Sequence, residues 1–149
     1  MVSERLVRVR VDGLIAYELY RSLAIEMPWI IRFGDEFEGE FLALNSEVQD
    51  QLLASAKLLA DYGPDLGRPY VDTLKGSKHA NMKELRFNAA RGVWRVAFAF
   101  DSRRHGILLV AGDKSGVSEA RFYKQLIATA DRRYAAHLAS ITKPSLRKG

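Results

Sequence analysis

Three apolar runs of strand length, joined by short polar connections, constrain the fold of this chain most. The runs cover residues 82–87, 93–100 and 106–111, and they are joined by residues 88–92 and 101–105. Connections this short join antiparallel neighbours, because a parallel crossover needs a dozen or more residues. The second half of the chain is therefore predicted to form a three-stranded antiparallel meander.

The middle run alternates along its length. Four of its apolar residues share one face of a strand: Trp94, Val96, Phe98 and Phe100. Arg95 falls on the opposite face, because successive side chains of a strand point to opposite sides of the sheet. We expect the first face to pack into the core and Arg95 to lie on an exposed face.

The remaining segments predict a strand and three helices. Residues 29–33 read as a short strand, and residues 36–44 as a short helix. A longer helix is expected over residues 47–62, with Ser46 as its N-cap, and Gly63 followed by Pro64 ends it. A closing helix, capped by Ser118, carries an apolar stripe at helical spacing: Phe122, Leu126, Ala130 and Tyr134.

This order predicts an α+β fold, a small antiparallel sheet with two N-terminal helices and a C-terminal helix packed on it. We expect residues 27–141 to form the domain and residues 142–149 a basic tail. Residues 1–26 fit the pattern poorly. They are interpreted as an N-terminal extension upstream of a natural start at Met27, and a genuine additional strand and helix is the alternative.

Composition excludes several classes of protein. The chain has no cysteine, which excludes a disulfide scaffold, a thiolate metal site and a cysteine nucleophile. No apolar run approaches the roughly 18 residues that a membrane span needs, and no signal peptide is apparent. We expect a cytoplasmic protein with no membrane contact.

The net charge of +5 conceals a strong asymmetry. Residues 27–67 carry two basic and eight acidic side chains, whereas residues 68–149 carry seventeen basic and six acidic ones. A basic half of this kind indicates contact with nucleic acid, although a solvated basic surface is the simpler alternative.

The densest polar cluster precedes and enters the first strand of the meander. It contains Lys75, Lys78, His79, Lys83, Glu84 and Arg86. Alternation places Glu84 and Arg86 on one face, and Arg95 of the neighbouring strand joins them in a predicted cationic surface. The alternative for Glu84 is a cross-strand ion pair with Arg86 or Arg95 that has no catalytic part.

Such a surface suits RNA cleavage without a metal. This reaction needs a base for the 2′-hydroxyl, cations for the charge growing on phosphorus, and an acid for the leaving oxygen. His79 and Tyr123 are candidates for proton transfer or RNA contact, although a helical tyrosine more often packs. The histidines lack metal-ligand spacing, and residues 112–116 lack the glycines of a phosphate loop. No metal and no cofactor are therefore predicted.

Three motifs in this order resemble the RelE/ParE superfamily of toxins, especially its HigB-like, phage-related branch. They are Leu74-Lys75-Gly76, Lys83-Glu84-Leu85-Arg86, and the run from Val93 to Asp101. Residues 107–114 look like that family's last strand and the lysine after it. The likeness covers residues 27–141.

The resemblance implies the toxin of a type II toxin–antitoxin system, an endoribonuclease that cuts mRNA on the ribosome and inhibits translation. It implies as partner a cognate antitoxin with a helix-turn-helix domain. Arg86 and Arg95 would bind phosphate, with Lys75 and Lys114 flanking the scissile bond. The sequence departs from the family in Gly112-Asp113-Lys114, which replaces an aromatic-plus-lysine pair, and in having no cleanly aligned catalytic tyrosine or histidine.

Two other functions are compatible with parts of this pattern. ParE-like members of the same superfamily bind DNA gyrase and are not nucleases, so Arg86 and Arg95 would then be binding or structural residues. A plain nucleic-acid-binding module explains the charge but not the order of the motifs. Cut transcripts, as opposed to broken DNA, would separate the first two possibilities.

Overall fold

A meander of three strands, flanked by helices on both faces, organises residues 29–142, the part of the chain that the computed structural model describes. In chain order the elements are β1 (Ile30–Phe33), α1 (Phe37–Leu42), α2 (Ser46–Tyr62), a 3₁₀ turn (Gly63–Asp65), β2 (Val71–Thr73), β3 (Lys83–Ala89), β4 (Gly92–Phe100), β5 (His105–Asp113) and α3 (Glu119–Thr142). The predicted extension over residues 1–26 lies outside the described residues, and so does the predicted tail apart from Thr142.

The five strands form one sheet in the order β1-β5-β4-β3-β2. The antiparallel meander of β3, β4 and β5 is confirmed. The predicted antiparallel pairing holds from β2 to β5, and β1 departs from it because it pairs with β5 in parallel. No hairpin connects these two strands. The chain between them contains α1, α2 and three strands, so the sequence carries no short connection that would fix their direction.

The sequence analysis missed β2. This strand has three residues, and it pairs with β3 through Val71 opposite Leu85 and Thr73 opposite Lys83. It is too short to show alternation, and it follows a turn-rich segment that reads as a linker. Since β2 pairs only with the segment of β3 from Lys83 to Leu85, it covers only the first part of the outer edge of β3.

Helices cover both faces of the sheet, each over its own buried cluster. On one face, α1 and α2 bury residues that include Phe37, Leu52, Leu59, Leu85 and Phe98. On the other, α3 buries residues that include Met82, Ala97, Leu109, Leu126 and Tyr134. Both faces of β4 are therefore core, and the expectation of a single core face is corrected. Within residues 29–142, no helix is long and apolar enough to cross a membrane.

The helix ends follow local side-chain chemistry. The N-cap of α2 is Asn45, whose Oδ1 accepts from the Glu47 N–H at 2.7 Å, and not the predicted Ser46. Gly63 ends α2 at a positive φ of 57°, as expected. The predicted cap of α3 is confirmed, because Ser118 Oγ accepts from the Arg121 N–H at 3.2 Å.

Candidate active site

A buried carboxylate joins the predicted basic residues of β3 and β4 to α3. Glu84 is 3% exposed, and its Oε2 accepts a hydrogen bond from Arg86 Nη1 at 2.7 Å. Its Oε1 accepts from the Tyr123 hydroxyl at 2.8 Å and lies 3.8 Å from Arg95 Nε. The hydroxyl of Tyr123 in turn accepts from Arg95 Nε at 3.2 Å. We call Glu84, Arg86, Arg95 and Tyr123 the Glu84 cluster.

Strand register explains how these residues meet. Alternation along β3 puts Glu84 and Arg86 on the face beneath α3, and Arg86 stands directly opposite Arg95 of β4. Gly112 of β5 lies opposite Arg95 on the other side. A Cβ atom at Gly112 would lie 2.9 Å from Phe122 Cε1. The absence of a side chain there therefore lets α3 approach the sheet closely at Tyr123.

The face that carries these residues is largely covered, contrary to the prediction of an exposed cationic surface. The side chain of Arg95 is 7% exposed and that of Glu84 is 4% exposed, because Tyr123 and α3 lie over them. Arg86 is more accessible, with 20% of its side chain exposed. The alternative expectation was an ion pair of Glu84 with Arg86 or Arg95 on a wet face. Glu84 pairs with both arginines, and its side chain in these pairs is buried.

Tyr123 is protonated in this environment at neutral pH. Burial raises the pKa of its phenol above the usual value, and the hydrogen bond to Glu84 raises the pKa further. The hydrogen bond from Arg95 lowers the pKa by a smaller amount. The phenol therefore keeps its proton and donates it in the hydrogen bond to Glu84.

Lys114 lies at the border of the Glu84 cluster. Its backbone N–H donates to the Val93 carbonyl at 2.8 Å, which holds the end of β5 against β4. Its Nζ lies 5.7 Å from the centroid of the Tyr123 ring and 3.6 Å from Glu119 Oε2. With 21% of its side chain exposed, Lys114 carries a solvent-accessible charge beside the phenol.

The structure places Lys83 and His79 away from the Glu84 cluster. Lys83 points to the opposite face of β3, where its Nζ donates to the Pro64 carbonyl at 3.4 Å. The ring of His79 packs edge-on against Tyr134, with centroids 4.9 Å apart. Tyr134 follows Tyr123 by eleven residues, or about 16 Å along a helix axis. His79 is therefore remote from Tyr123.

Lys75 and Lys78 are both exposed, in the segment between β2 and β3. The backbone N–H of Lys78 donates to Asp131 Oδ2 at 3.0 Å, which fixes this segment against the middle of α3. Lys78 therefore accompanies His79. Lys75 lies closer to the end of β2, beside Leu74, which packs under α3.

A second polar cluster escaped the sequence analysis. Asp101, with a fully buried side chain, accepts from His137 Nε2 at 3.0 Å and from Arg103 Nη2 at 3.1 Å. It also accepts from the backbone N–H groups of Arg103 and His105. An aspartate after a strand reads as a turn residue, and His137 gave no spacing signal. This cluster ties the β4–β5 hairpin to α3.

Asp113, the residue before Lys114, stabilises a local turn. Asp113 Oδ1 accepts from the backbone N–H groups of Val93 and Ser115, both at 3.0 Å. These bonds form a turn of the chain rather than a cradle for phosphate. Among residues 29–142, no group of three or more histidine, aspartate and glutamate side chains is placed to hold a metal ion.

Residues 39–135 match the model of a protein family described as phage derived protein Gp49-like (DUF891). The chain belongs to this family. The matched segment runs from α1 into α3 and includes all four members of the Glu84 cluster. The resemblance that the sequence motifs indicated, to the HigB-like, phage-related branch of the RelE/ParE superfamily, is thereby confirmed.

Two relatives of this Gp49-like chain come from Mycobacterium tuberculosis (strain ATCC 25618 / H37Rv). The protein named "Putative toxin HigB2" is 44% identical over 108 residues, and "Putative toxin HigB3" is 43% identical over 105 residues. Each alignment covers 70% of this chain. It spans 53% of HigB2, about half its length, and 90% of HigB3.

The fold is similar to a solved structure of the Escherichia coli toxin RelE, a double arginine mutant in the free state. The two superpose with a TM-score of 0.50 and 14% sequence identity, over 68% of this chain and 96% of the other. The predicted α+β, RelE-like fold is thereby confirmed.

Proposed function

We propose that this chain is the toxin of a type II toxin–antitoxin system and that it cleaves mRNA at the ribosome, with the Glu84 cluster as its active site. The observation that carries the proposal is the convergence of Arg86, Arg95 and Tyr123 on one buried carboxylate. Relatives named as HigB toxins support the toxin part. The proposed domain is residues 27–141, and the proposed site of action is the cytoplasm.

The geometry suits attack of a ribose 2′-oxygen on the adjacent phosphorus, with the 2′-hydroxyl proton passing to solvent water. The bond to the 5′-oxygen breaks, and the products are a 2′,3′-cyclic phosphate and a 5′-hydroxyl. Charge grows on the phosphate oxygens in that step, and a guanidinium is well shaped to bind them in pairs. Arg86 is the more accessible guanidinium of the cluster, and Lys114 adds a second partly exposed charge. We assign both to the phosphate, with Lys75 of the neighbouring segment as an outer contact.

Tyr123 is our choice for the acid that donates a proton to the leaving 5′-oxygen. Its hydroxyl donates to Glu84 Oε1 at 2.8 Å and accepts from Arg95 Nε at 3.2 Å, so the phenol is held in a fixed position within the cluster. Glu84 is too deeply buried to reach a substrate. It is therefore a positioning residue that orients Tyr123 and Arg86, and Arg95 balances its charge.

The proposed partner is an antitoxin, which we expect to carry a helix-turn-helix domain and to cover the accessible cations with an acidic or amphipathic segment. Such an association would be steered by charge. Raising the salt concentration should therefore slow it.

Expression in cells tests the nuclease proposal. Induction of the wild-type chain should arrest growth and create new 5′ ends within open reading frames. Arg86→Ala should abolish both effects. The matched control is Arg132→Ala, which should behave as wild type. Arg132 lies nine residues after Tyr123 on α3, is 62% exposed and pairs with Glu36. Growth arrest with intact transcripts and broken DNA would instead support the ParE-like reading, in which the target is DNA gyrase.

A further inference from the structure

An open groove of about 450 Å³ adjoins the Glu84 cluster and shares two of its residues. It lies between α2 and the part of β3 that β2 leaves uncovered. The Arg86 N–H donates to the Tyr70 carbonyl at 2.8 Å, and the pairing of β2 with β3 ends at Leu85. Arg86 and Arg95 both line the groove, so a molecule bound at Arg86 has this space beside it.

The other lining residues combine an aromatic ring, an apolar patch and amides. Tyr70, before β2, is 45% exposed. Leu58 of α2 is half-buried, and Gln51 of α2 and Asn88 of β3 are exposed. The volume falls within the range of about 300–1,000 Å³ that is typical of small-ligand sites.

This set of groups matches the chemistry of a nucleobase. A base stacks on an aromatic side chain through its flat face, and its edge carries donors and acceptors that an amide can pair with. An acidic peptide would find two cations in the groove, Arg86 and Arg95, among lining residues that are otherwise uncharged. The aromatic ring and the two amides therefore favour a base over a chain of carboxylates.

We propose that the groove holds one nucleobase of the RNA whose phosphate contacts Arg86. Tyr70 stacks on this base, and Asn88 and Gln51 contact its edge. The proposal rests on the proposed function for its substrate class, and it makes Tyr70, Asn88 and Gln51 residues that set nucleotide preference. None of the three belongs to the Glu84 cluster.

Binding of uncleavable RNA analogues tests the groove without requiring cleavage. The probes are two fluorescent 2′-O-methyl pentanucleotides of equal charge, one with bases and one abasic throughout. The ratio of their dissociation constants, measured by anisotropy at one fixed salt concentration, cancels the contribution of the phosphates. For the wild-type chain we expect the probe with bases to bind at least about fivefold more tightly, the lower end of what stacking of one base contributes.

Tyr70→Leu should reduce this ratio to near one, while its affinity for the abasic probe stays unchanged. The fold should tolerate the substitution, because Tyr70 joins neighbouring segments through its backbone N–H and carbonyl. Tyr62→Leu is the matched control, since Tyr62 is 57% exposed and does not line the groove. It should keep the wild-type ratio. Asn88→Ala should lower the ratio without loss of folding.

Three results would overturn the groove proposal. The first is equal binding of the two probes by the wild-type chain, and the second is an unchanged ratio of dissociation constants in Tyr70→Leu. The third is a competition result in which an acidic peptide displaces both probes and a free nucleoside monophosphate displaces neither. The test is separable from that of the nuclease. Base-dependent binding without transcript cuts would contradict the nuclease alone, and cuts without base-dependent binding would contradict the groove alone.

Discussion

The Tyr123 hydroxyl of α3 donates a hydrogen bond of 2.8 Å to Oε1 of Glu84 on β3, thirty-nine residues earlier in the chain. The other carboxylate oxygen of Glu84 accepts from Arg86 at 2.7 Å. A single buried carboxylate thus fixes both the proposed acid and the proposed phosphate-binding arginine. Removal of its charge should affect stability and activity together.

Glu84→Gln should lower the free energy of unfolding by about 1.5–3 kcal/mol, the contribution of a hydrogen bond to a charged group. The neutral amide leaves Arg95 buried without a compensating charge. Chemical denaturation measures the change. Glu119→Gln is the control, because Glu119 is 71% exposed in its ion pair with Lys114 and should contribute less than about 1 kcal/mol. Equal losses of unfolding free energy in the two variants would contradict the claim that Glu84 is a central buried partner of the cluster.

The hydrogen bonds to Asp101 should make the free energy of unfolding depend on pH in the acid range. Burial of this carboxyl opposes its charged form, but hydrogen bonds from His137, Arg103 and the His105 N–H outweigh burial and hold the pKa of Asp101 below its usual value. A lowered pKa means that the folded state releases the proton more readily than the unfolded state. The resulting stability is present above the unfolded pKa of about 4 and is lost as the pH falls through the folded pKa.

Asp101→Asn should therefore destabilise the chain at pH 7, by about 1.5–3 kcal/mol, and should flatten the loss of stability below about pH 4. Thermal or urea unfolding across pH 2–7 measures both. Asp50→Asn, at an exposed position of α2, should leave the acid limb of the profile unchanged. An acid limb that stays equally steep in Asp101→Asn would refute the assignment.

A side chain at position 112 should clash with Phe122 and disturb the Glu84 cluster. A Cβ atom there would lie 2.9 Å from Phe122 Cε1, so Gly112→Ala should push the first turns of α3 away from the sheet. Overpacking of this kind costs about 1–3 kcal/mol, and the displacement should reduce cleavage by moving Tyr123. Gly39→Ala is the matched control within α1, where nothing lies within 4 Å of the added atom. It should be neutral or slightly stabilising. Wild-type stability and cleavage in Gly112→Ala would contradict the close approach.

Much of this fold was predictable because its strongest signals are local. The alternation around Arg95 and the stop at Gly63 each depend on a few neighbouring residues. The parallel pairing of β1 with β5 and the three-residue strand β2 depend on contacts distant in sequence, and no periodicity encodes them. The choice of Asn45 over Ser46 as a cap is a shift of one residue that composition does not decide.

The same division holds for the site. Glu84, Arg86 and Arg95 share a face by strand alternation, so their meeting could be predicted from the sequence. Their burial could not, because it depends on where α3 crosses the sheet. That crossing also brings Tyr123 into contact with Glu84 and takes His79 to Tyr134. The position of α3 on the sheet therefore decides that Tyr123 contacts Glu84 and that His79 does not.

Cleavage of ribosome-bound mRNA by the purified chain, followed in a single turnover, tests the account most directly. The account predicts a cut that leaves a 5′-hydroxyl end and a rate at least about 10²-fold slower in Tyr123→Phe, the usual effect of losing a general acid. Tyr62→Phe, at an exposed tyrosine, should cut at the wild-type rate. Intact mRNA with the wild-type chain, or an undiminished rate in Tyr123→Phe, would contradict the assignment of the Glu84 cluster as a ribonuclease site.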